Sequence, residues 1–547
     1  MKFFKVKTIS KIGMVLCFSI EAVVAMKRDA IVIGGGCAGM VAALAAREEG
    51  AEVVILARGP LGLGTNSALS NATFSGPTAH YAPEKYVEDT LQTGKGINHE
   101  LLVRLMAKEA SLGFSLLRSL DLKLVELSDG YYVKSTRPDL IPGITLVRAL
   151  AGEIGKVSGI EVLNGLYVTG ILKDAEKVYG VRGFDRTGQE VFIYAPAVVL
   201  ATGGAGAIYL RNDNQKSTMG QGYYLSAKAG LELWDIEFVQ FYPLVIAQPG
   251  LPSLLLYPPY PQEARLINAA EEDVLEKHGL GDPNKAHVTE RDRFSAVLFQ
   301  EGLKGPLCMD YRTVPTSRWK RHPLSLLTRM KFDFQREPFA VSPAAHFFMG
   351  GVRIDERGQT SVPSLFACGE VAWGLHGANR KSGNALMECF VFGRIAGRSA
   401  AQCALNCSIS LPKLKESSKD FSYHSGSSRG TLRGLRRRIR EIAWTCAGVV
   451  RSEKGLREGL AKVAESEIEV KGAAPQTVHD KRLKEDLMGA TFVLKAVLTA
   501  SLARKESRGS FVREDFPRQD DLNWRINSCL AYNWEEDRFS VRYHPAG

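Results

Sequence analysis

The feature that most constrains the fold is a cluster of glycines near the start of the chain. Gly34, Gly36 and Gly39 match the pattern G-x-G-x-x-G. Residues 29–33, which are apolar and β-branched after the first, precede them and predict a buried parallel strand, while residues 40–49 predict a helix that leads to a second strand. In such a unit the first glycine permits the tight turn, the second lets backbone approach a pyrophosphate, and the third lets helix and strand pack closely. The pattern predicts a doubly wound α/β unit that binds a dinucleotide at a helix N-terminus.

Composition limits the class of protein to which this unit can belong. The chain has 547 residues, of which 45% are apolar and 24% are charged, as is typical of a soluble globular protein with several domains. Part of the net charge of +11 lies in residues 429–440. This run is either a docking face for an acidic partner or, as we favour, a solvated helix face. No nucleic-acid-binding motif accompanies it, so nucleic acid is not expected as a partner.

The cysteines indicate a reducing environment. There are nine, and none form a CxxC pair. Cys403 and Cys407 lie one helical turn apart, which is weak evidence for a metal, and we predict no metal or iron–sulfur site in this chain. Scattered, buried thiols are typical of a reduced, cytoplasmic protein.

Residues 1–25 need an interpretation of their own. Lysines precede a short apolar run and then small residues, which is the form of a signal peptide. The run is too short to span a bilayer comfortably, so we expect membrane association only through a partner. The alternative is that Met26 is the natural start, and that residues 1–25 result from a start site assigned too far upstream. We favour this alternative, because export of the unfolded chain would separate it from its cofactor supply, and no twin arginine is present for folded export.

A second glycine motif follows another predicted strand. Residues 197–200 are apolar and lead into residues 201–204, Ala-Thr-Gly-Gly. This ending either brings the backbone close to a ligand or simply makes a tight turn after a core strand. The acid that often ends the second strand of a dinucleotide-binding unit is missing, because Arg58 stands there.

A third group of motifs lies between residues 346 and 386. Gly369 and Glu370 follow an apolar strand and offer a carboxylate for a ribose diol. Asn384 stands with glycines at the start of a predicted helix, where N–H groups can meet the pyrimidine end of a flavin. His346 and Arg380 are polar or cationic donors beside that flavin.

The order of the motifs resembles that of a known family, the flavoprotein subunits of succinate dehydrogenase and fumarate reductase together with L-aspartate oxidase. The resemblance covers nearly the whole chain from Asp29 onward. The segments that carry it, besides those above, are Val-Ile-Leu-Ala-Arg-Gly-Pro at 54–60, Thr-Asn-Ser at 65–67, Gln-Phe-Tyr-Pro at 240–243, Glu-Arg-Asp at 290–292, His-Gly-Ala-Asn-Arg at 376–380, Gly-Val-Val-Arg at 448–451, Glu-Ser-Arg-Gly at 506–509 and Arg-Glu-Asp at 513–515.

The resemblance implies an α/β fold in three parts. A Rossmann-type FAD-binding domain would be assembled from residues 26–235 and 342–412. An α+β capping domain, residues 236–341, would be inserted between them. A polar linker at 413–430 would lead to a C-terminal helical domain at 431–547.

The resemblance also implies an FAD-dependent oxidoreductase, in which hydride passes between flavin N5 and a substrate that carries a carboxylate. His346 and Arg380 would bind that carboxylate, and Arg291 would be the proton-transfer arginine. Two alternatives stay open: an oxidase like L-aspartate oxidase, or a flavin subunit that passes electrons to an iron–sulfur partner. FAD is expected to be non-covalent, because no histidine stands in residues 64–76, where some family members attach it.

Motifs and resemblance together give the candidate FAD contacts. They are Gly34, Gly36, Cys37, Ala38, Gly39, Arg58, Thr65, Asn66, Ser67, Ala201, Thr202, Gly203, Gly204, Gly369, Glu370, Asn384, Ala385 and Leu386.

Two departures from the family pattern bear on the substrate. Tyr242 stands where the family has a substrate-binding histidine. Leu256 and Tyr257, followed by two prolines, stand where it has a threonine and a glutamate. Burying a second carboxylate against such an apolar wall would cost several kcal/mol. We therefore expect a substrate with one carboxylate and a larger apolar or aromatic end, and weak or no activity on fumarate and succinate.

Overall fold

The computed structural model describes residues 24–320, 323–407 and 428–546. Most of the expected N-terminal extension and most of the expected linker therefore lie outside the described residues. The strands up to residue 234 are β1 (Val24–Lys27), β2 (Ala30–Ile33), β3 (Val53–Ala57), β4 (Thr73–Ser75), β5 (Leu124–Leu127), β6 (Gly130–Val133), β7 (Ile160–Asn164), β8 (Tyr167–Lys173), β9 (Val178–Phe184), β10 (Glu190–Tyr194), β11 (Ala197–Leu200) and β12 (Leu233–Trp234). The helices of this stretch are α1 (Cys37–Glu48), α2 (Asn66–Leu69), α3 (Pro83–Thr93), α4 (Glu100–Ser119), α5 (Pro142–Lys156) and α6 (Gln221–Lys228).

The next stretch contains the capping domain and the return to the first domain. Its strands are β13 (Val239–Ile246), β14 (Arg265–Ile267), β15 (Leu307–Asp310), β16 (Phe339–Phe348), β17 (Gly351–Arg353), β18 (Leu365–Ala367) and β19 (Ala372–Trp373). Its helices are α7 (Val274–Lys277), α8 (Pro283–Thr289), α9 (Arg291–Lys304), α10 (Leu324–Arg329) and α11 (Asn384–Leu405).

The C-terminal stretch is mixed. Its helices are α12 (Ser428–Cys446), α13 (Glu453–Gly472), α14 (Val478–Ala503) and α15 (Asp521–Trp524). Its strands are β20 (Val450–Arg451), β21 (Val512–Arg513), β22 (Ile526–Asn533) and β23 (Arg538–Pro545).

A parallel sheet with the strand order β18-β11-β2-β3-β7 forms the centre of the molecule. Strands β2, β3 and β11 are buried along their whole length, as is expected of parallel strands covered on both faces. Helices α1 and α11 pack against each other over this sheet. Their close approach needs glycine, because a Cβ on Gly397 would lie 2.1 Å from the carbonyl oxygen of Ala42. These elements confirm the predicted Rossmann-type α/β fold.

The inserted capping domain has its own sheet and its own core. Strands β13, β16, β15 and β14 form an antiparallel sheet, and α9 packs against β13. Phe294, Leu298 and Phe334 are among the fully buried side chains of a separate apolar cluster. The expected boundary after residue 341 falls inside β16, because this strand continues from the cap to the central domain.

The C-terminal part departs from the expected helical domain. Helices α12, α13 and α14 pack together, but residues 526–545 form a β-hairpin that pairs with β12 in a five-stranded sheet of order β19-β17-β12-β22-β23. The basic run on α12 is partly engaged within the protein: Arg437 pairs with Glu441, Arg438 pairs with Glu469, and Arg440 donates to the carbonyl oxygen of Ala207.

A buried ion-pair network joins this part to the rest of the protein. Arg504 pairs with Glu237 at 2.8 Å and with Glu506 at 2.9 Å, and Arg508 pairs with Glu506 at 2.8 Å. All four side chains are completely buried. Such a network is costly to break, because removing one partner leaves an uncompensated buried charge.

Among the described residues, one helix, α14, is long and apolar enough to cross a membrane by those criteria alone. Two thirds of its most apolar window, 67%, is buried inside the protein. It packs against α13, α12 and α6, which is the position of a core helix.

Candidate active site

A cavity of about 2280 Å³ runs from the ends of the parallel strands to the underside of the cap. Residues that follow the carboxyl ends of β2, β3, β11 and β18 line one end of it. This is where open α/β sheets bind their ligands. Residues of β13, α8, α9 and β16 line the other end. The cavity therefore connects the predicted dinucleotide site to the predicted substrate site.

Glycine is favoured at positions 34, 36 and 39 for different reasons. A Cβ on Gly34, whose φ is +123°, would lie 2.1 Å from the carbonyl oxygen of Ala201, and a Cβ on Gly39 would lie 2.0 Å from that of Gly34. Both are required by the packing of the turn itself. A Cβ on Gly36 would meet nothing nearer than the Ser67 hydroxyl oxygen, at 3.5 Å. Since the protein leaves this space open to the cavity, the space suits a ligand that approaches the backbone, as a pyrophosphate does.

The polar groups around this end also fit FAD. The hydroxyl oxygen of Ser67 lies at the N-terminus of α1 and accepts a hydrogen bond from the Cys37 N–H at 3.2 Å. The Thr202 hydroxyl is buried at the cavity wall and has no hydrogen-bond partner among the described residues. Most of the predicted cofactor residues line the cavity: Gly34, Gly36, Cys37, Ala38, Arg58, Thr65, Asn66, Ser67, Ala201, Thr202, Gly203, Gly204, Gly369, Glu370, Ala385 and Leu386.

Arg58 occupies the end of β3, where an acid was missing from the sequence pattern. Its Nη1 donates to the carbonyl oxygen of Ser217 at 2.9 Å and pairs with Asp486 at 3.0 Å. Its guanidinium lies over the ring of Tyr167, 4.4 Å from the centroid. The charge of Arg58 is therefore compensated by an acid from α14, so that this corner of the site combines a cation, an acid and an aromatic ring.

Glu370 lies between the two halves of the FAD-binding domain. One carboxylate oxygen accepts a hydrogen bond from the Phe348 N–H at 3.1 Å. A Cβ on Gly204 would lie 2.1 Å from the same oxygen, so glycine is needed there to admit the carboxylate. Burial raises the pKa of Glu370 to about 7. A ribose diol that donates hydrogen bonds to this group would favour its ionised form.

Two predicted cofactor residues do not line the cavity. The side chain of Asn384 is completely buried, accepts a hydrogen bond from the Tyr86 hydroxyl at 3.1 Å, and donates to the Thr90 hydroxyl at 3.3 Å. The side chain therefore ties the start of α11 to α3, whereas the predicted contact with the flavin concerns the N–H groups at this helix start. Gly39 also lies outside the cavity wall, and its contribution is the close packing of α1 described above.

The three predicted catalytic residues meet at the cap end of the cavity. Arg380 is 7% exposed and lies over the ring of Phe347, 4.7 Å from the centroid. Its Nε is buried without a hydrogen-bond partner in the described protein, and its Nη1 donates only to the carbonyl oxygen of Lys381, at 3.3 Å. Burial and the nearby Arg291 lower the pKa of Arg380 to about 10. An anion in the cavity would relieve this unfavourable charge.

Arg291 is the second cation of this end, at the start of α9. Its guanidinium carbon lies 5.8 Å from the ring centroid of Tyr242. The neighbouring acids are engaged elsewhere, because Glu290 pairs with Arg293 at 2.6 Å and Asp292 accepts from Asn379 at 2.8 Å. Neither Arg291 nor Arg380 makes an ion pair with a carboxylate in the part of the chain that the structure describes.

His346 completes the predicted carboxylate site. Its Nδ1 lies 2.7 Å from a carboxylate oxygen of Asp213, so Nε2 is the ring nitrogen left for a ligand. Asp213 is 6% exposed and also lines the cavity. A carboxylate in this position fixes the orientation of the ring.

A side-chain network that the sequence did not reveal holds Arg380 in place. The amide oxygen of Asn379 accepts from the N–H of Arg380 at 2.9 Å and from the Gln240 side chain at 2.7 Å. The Gln240 side chain also donates to the carbonyl oxygen of Arg380, at 3.0 Å. Since the Asn379 amide nitrogen donates to Asp292 of the cap, this network links the cap to the predicted substrate arginine. These polar residues stand in segments that carry the family resemblance, but their contacts with one another are visible only in the fold.

The aromatic wall expected from the sequence is present with one change of residue. Tyr242, Leu255 and Tyr257 line the cavity together with the two prolines that follow. Leu256 does not, because it is 2% exposed and belongs to the core of the cap. The alternation of side chains along this segment places Leu255, not Leu256, at the wall.

His287 was also missed by sequence reasoning. It lies on α8, is 3% exposed, and lines the cavity beside Arg291. A single histidine one turn before an arginine has no motif that would mark it, so its environment is visible only in the structure.

A dinucleotide cradle, a cap and a cluster of unpaired cations between them define the class of FAD-dependent oxidoreductases. Comparison with known families agrees: residues 29–386 match the family described as FAD binding domain, and residues 436–546 match that described as fumarate reductase flavoprotein C-term. The chain belongs to this FAD-binding family, in its fumarate reductase and succinate dehydrogenase flavoprotein branch.

Relatives are similar over nearly their whole length. A subunit of the CoM/CoB fumarate reductase of Methanothermobacter marburgensis is 30% identical, covering 93% of this chain and 97% of that protein. An uncharacterized FAD-dependent oxidoreductase of Methanocaldococcus jannaschii is 30% identical, covering 92% and 96%. The L-aspartate oxidase of Streptomyces coelicolor is 29% identical, covering 93% and 92%.

The solved structures agree on the fold. The FrdA chain of E. coli quinol fumarate reductase superposes with a TM-score of 0.83 at 23% identity, covering 96% of this chain and 97% of that one. Mycobacterium smegmatis Sdh1 superposes with a TM-score of 0.81 at 24% identity, covering 96% and 95%. These findings confirm the predicted family, fold class and FAD-dependent oxidoreductase activity.

Replacing Gly36 tests the cradle. We expect Gly36→Val to fold normally but to lose FAD, because the added side chain meets no tight protein contact and fills the space left for the pyrophosphate. Flavin absorbance after purification and the circular dichroism spectrum give the two readouts. Gly152→Val is the matched control, since a Cβ there has nothing within 4 Å. A Gly36→Val protein that retains stoichiometric FAD would refute this placement.

Glu370 predicts a pH dependence of FAD affinity. Its pKa of about 7 in the free protein should fall when the diol donates to the carboxylate, so binding releases a proton. The Kd for FAD should therefore decrease as pH rises from about 6 to about 7 and level off above this range. Titration of apoprotein by flavin fluorescence measures it. Glu370→Gln should bind more weakly and lose the pH dependence, and an unchanged pH dependence in this variant would exclude Glu370 as the titrating group.

Proposed function

We propose that this FAD-dependent oxidoreductase acts on a substrate with a single carboxylate and a larger apolar end. The observation that carries the proposal is the asymmetry of the cap end of the cavity. Arg380 and His346 contribute polar and cationic groups to its lining, without a protein carboxylate on the arginine, whereas Tyr242, Leu255 and Tyr257 contribute aromatic and apolar surface. A molecule that matches this arrangement is charged at one end and apolar at the other.

The residues suit a reaction at a carbon next to the bound carboxylate. When bound, FAD supplies a hydride acceptor or donor at flavin N5. Arg380 would hold the substrate carboxylate by a charge-assisted contact, which is strong and directional. His346, oriented by Asp213 through Nδ1, would present Nε2 to the same carboxylate and, in its protonated form, would donate to it. This anchoring would hold the reacting carbon in one orientation, while the cap excludes water.

Arg291 is placed to act on the charge that develops in the same reaction. It lines the cap end of the cavity together with the two carboxylate-binding residues. An arginine hardly deprotonates in proteins, so we propose that it acts chiefly by its charge, stabilising negative charge that develops on the substrate.

We further propose that a separate iron–sulfur subunit delivers electrons to this flavoprotein, which acts in the cytoplasm. The support is the family resemblance and the relative from M. marburgensis, which is itself one subunit of a fumarate reductase. The residues that the structure describes contain no group of three or more histidine, cysteine or acidic side chains that could hold a metal. Purification of the native protein under anaerobic conditions tests this proposal, through the iron and acid-labile sulfide that accompany it.

Acid precipitation tests the mode of cofactor binding. We expect the purified protein to be yellow and all of its flavin to enter the supernatant, because residues 64–76 contain no histidine to which FAD could be attached. The flavin in supernatant and pellet is measured by its absorbance. Flavin that stays with the denatured pellet would contradict non-covalent binding.

A substrate panel with Arg380→Met tests the proposed site. We expect the dithionite-reduced wild type to be reoxidised faster by crotonate or cinnamate than by fumarate. Arg380→Met keeps bulk but removes the charge, so the rate should fall by ~30-fold or more while FAD stays bound. Arg357→Met, at an exposed position, is the control. If fumarate reacts as efficiently as the other two acids, another cation holds a second carboxylate and the proposed substrate class is wrong.

A further inference from the structure

The buried histidine of the cap, His287, has surroundings that define its protonation. It is 3% exposed and lies one helical turn before Arg291. Its ring packs edge-on against Tyr242, with centroids 4.9 Å apart, and against Tyr260, with centroids 5.8 Å apart. The ring is therefore held by aromatic neighbours and cannot turn freely.

The hydrogen bonds of Tyr260 decide which ring nitrogen carries the proton. The Tyr260 hydroxyl lies 2.9 Å from the carbonyl oxygen of Leu256 and 2.9 Å from His287 Nδ1. A carbonyl can only accept, so the single hydroxyl hydrogen points to Leu256. His287 must then donate from Nδ1 to the hydroxyl oxygen, which leaves Nε2 with a free lone pair.

That lone pair faces Arg291. Nε2 lies 3.5 Å from Arg291 Nη2, at the long end of the hydrogen-bond range, and a guanidinium can only donate. Burial and the charge of Arg291, followed by that of His346, lower the pKa of His287 to about 3. The ring is therefore neutral at physiological pH and accepts from Arg291 without adding or removing charge.

A neutral acceptor can orient a guanidinium without neutralising its charge, which a carboxylate cannot do. A carboxylate at this position would hold Arg291 but would also neutralise it and raise the free energy of an anionic substrate beside it. The two acids that flank Arg291 in sequence are bound to Arg293 and Asn379. The neutral ring thus orients the guanidinium without pairing its charge.

We propose that His287 is a positioning residue, which is fixed by Tyr260 as the Nδ1–H tautomer and orients Arg291 toward the substrate without neutralising it. This inference rests on the proposed function, in which Arg291 acts on the bound substrate. Its contribution should appear in the rate of the chemical step more than in substrate or cofactor binding.

The first test compares two replacements of His287. Phenylalanine keeps a ring and removes the acceptor, whereas glutamine offers an amide oxygen near the position of Nε2. With the fastest of fumarate, crotonate and cinnamate, we expect His287→Phe to lower the single-turnover rate of flavin reoxidation by ~10- to 100-fold. The apparent substrate affinity should change little and FAD should stay bound. His287→Gln should recover most of the rate. Equal loss in both variants, or a wild-type rate in His287→Phe, would overturn the proposal.

Two further proteins separate positioning from a general effect on the cap. His278→Phe is the matched control, because His278 pairs with Glu301 at 3.1 Å elsewhere in the cap, and it should keep the wild-type rate. In an Arg291→Gln background, His287→Phe should add no further loss, since residues that act as a unit are not additive. An additive loss would overturn the inference but leave the proposed function standing. A wild-type rate in Arg291→Gln alone would instead overturn the proposed role of Arg291 in the reaction, and with it the positioning role of His287.

Discussion

The close contact between the first glycine turn and its neighbours fixes the geometry of the whole site. Gly34 and Gly39 let β2, β11 and the start of α1 approach within distances that a single Cβ would prevent. Helix α11 then lies against α1, where Gly393 and Gly397 remove the side chains that would separate them. Since α11 begins four residues after Arg380, the substrate arginine is positioned through the same contacts that shape the cofactor cradle. One packing constraint therefore places both ends of the cavity.

Sequence reasoning succeeded where a residue type is demanded by backbone geometry. The glycine turns after β2 and β11 and the Rossmann sheet were predictable, because tight turns and buried parallel strands leave few alternatives. The inserted cap was implied by the family resemblance. Sequence reasoning could not establish the partners of a side chain where the surroundings decide them. Asn384 stands in a motif but turns toward α3. Leu256 and Leu255 are chemically alike, and only the twist of the segment decides which of them reaches the cavity. The final hairpin has the polar composition of a tail, and pairing with β12 gives it structure.

The site concentrates positive charge in a place where charge is expensive. Arg380 is nearly excluded from solvent and its pKa is lowered by burial. Arg291 lines the same cavity and makes no ion pair within 4 Å among the residues that the structure describes. Buried charges that are not paired weaken a fold. Here the separate apolar core of the cap supplies stability that offsets this cost. The protein can thus keep these two positive charges in the cavity. An anionic substrate that binds there would offset their unfavourable electrostatic energy.

The amide of Asn379 makes the active site sensitive to chemical ageing. Its nitrogen donates to Asp292 in the cap, and its oxygen accepts from Gln240 and from the backbone of Arg380. Asparagine is among the residues that heat degrades most readily. Hydrolysis of this side chain would exchange one NH₂ group for an oxygen and set two carboxylates face to face, where like charges repel. A change of one atom group would then turn the bond between cap and substrate arginine into a repulsion, and the enzyme would lose its alignment while every element of its fold remained intact.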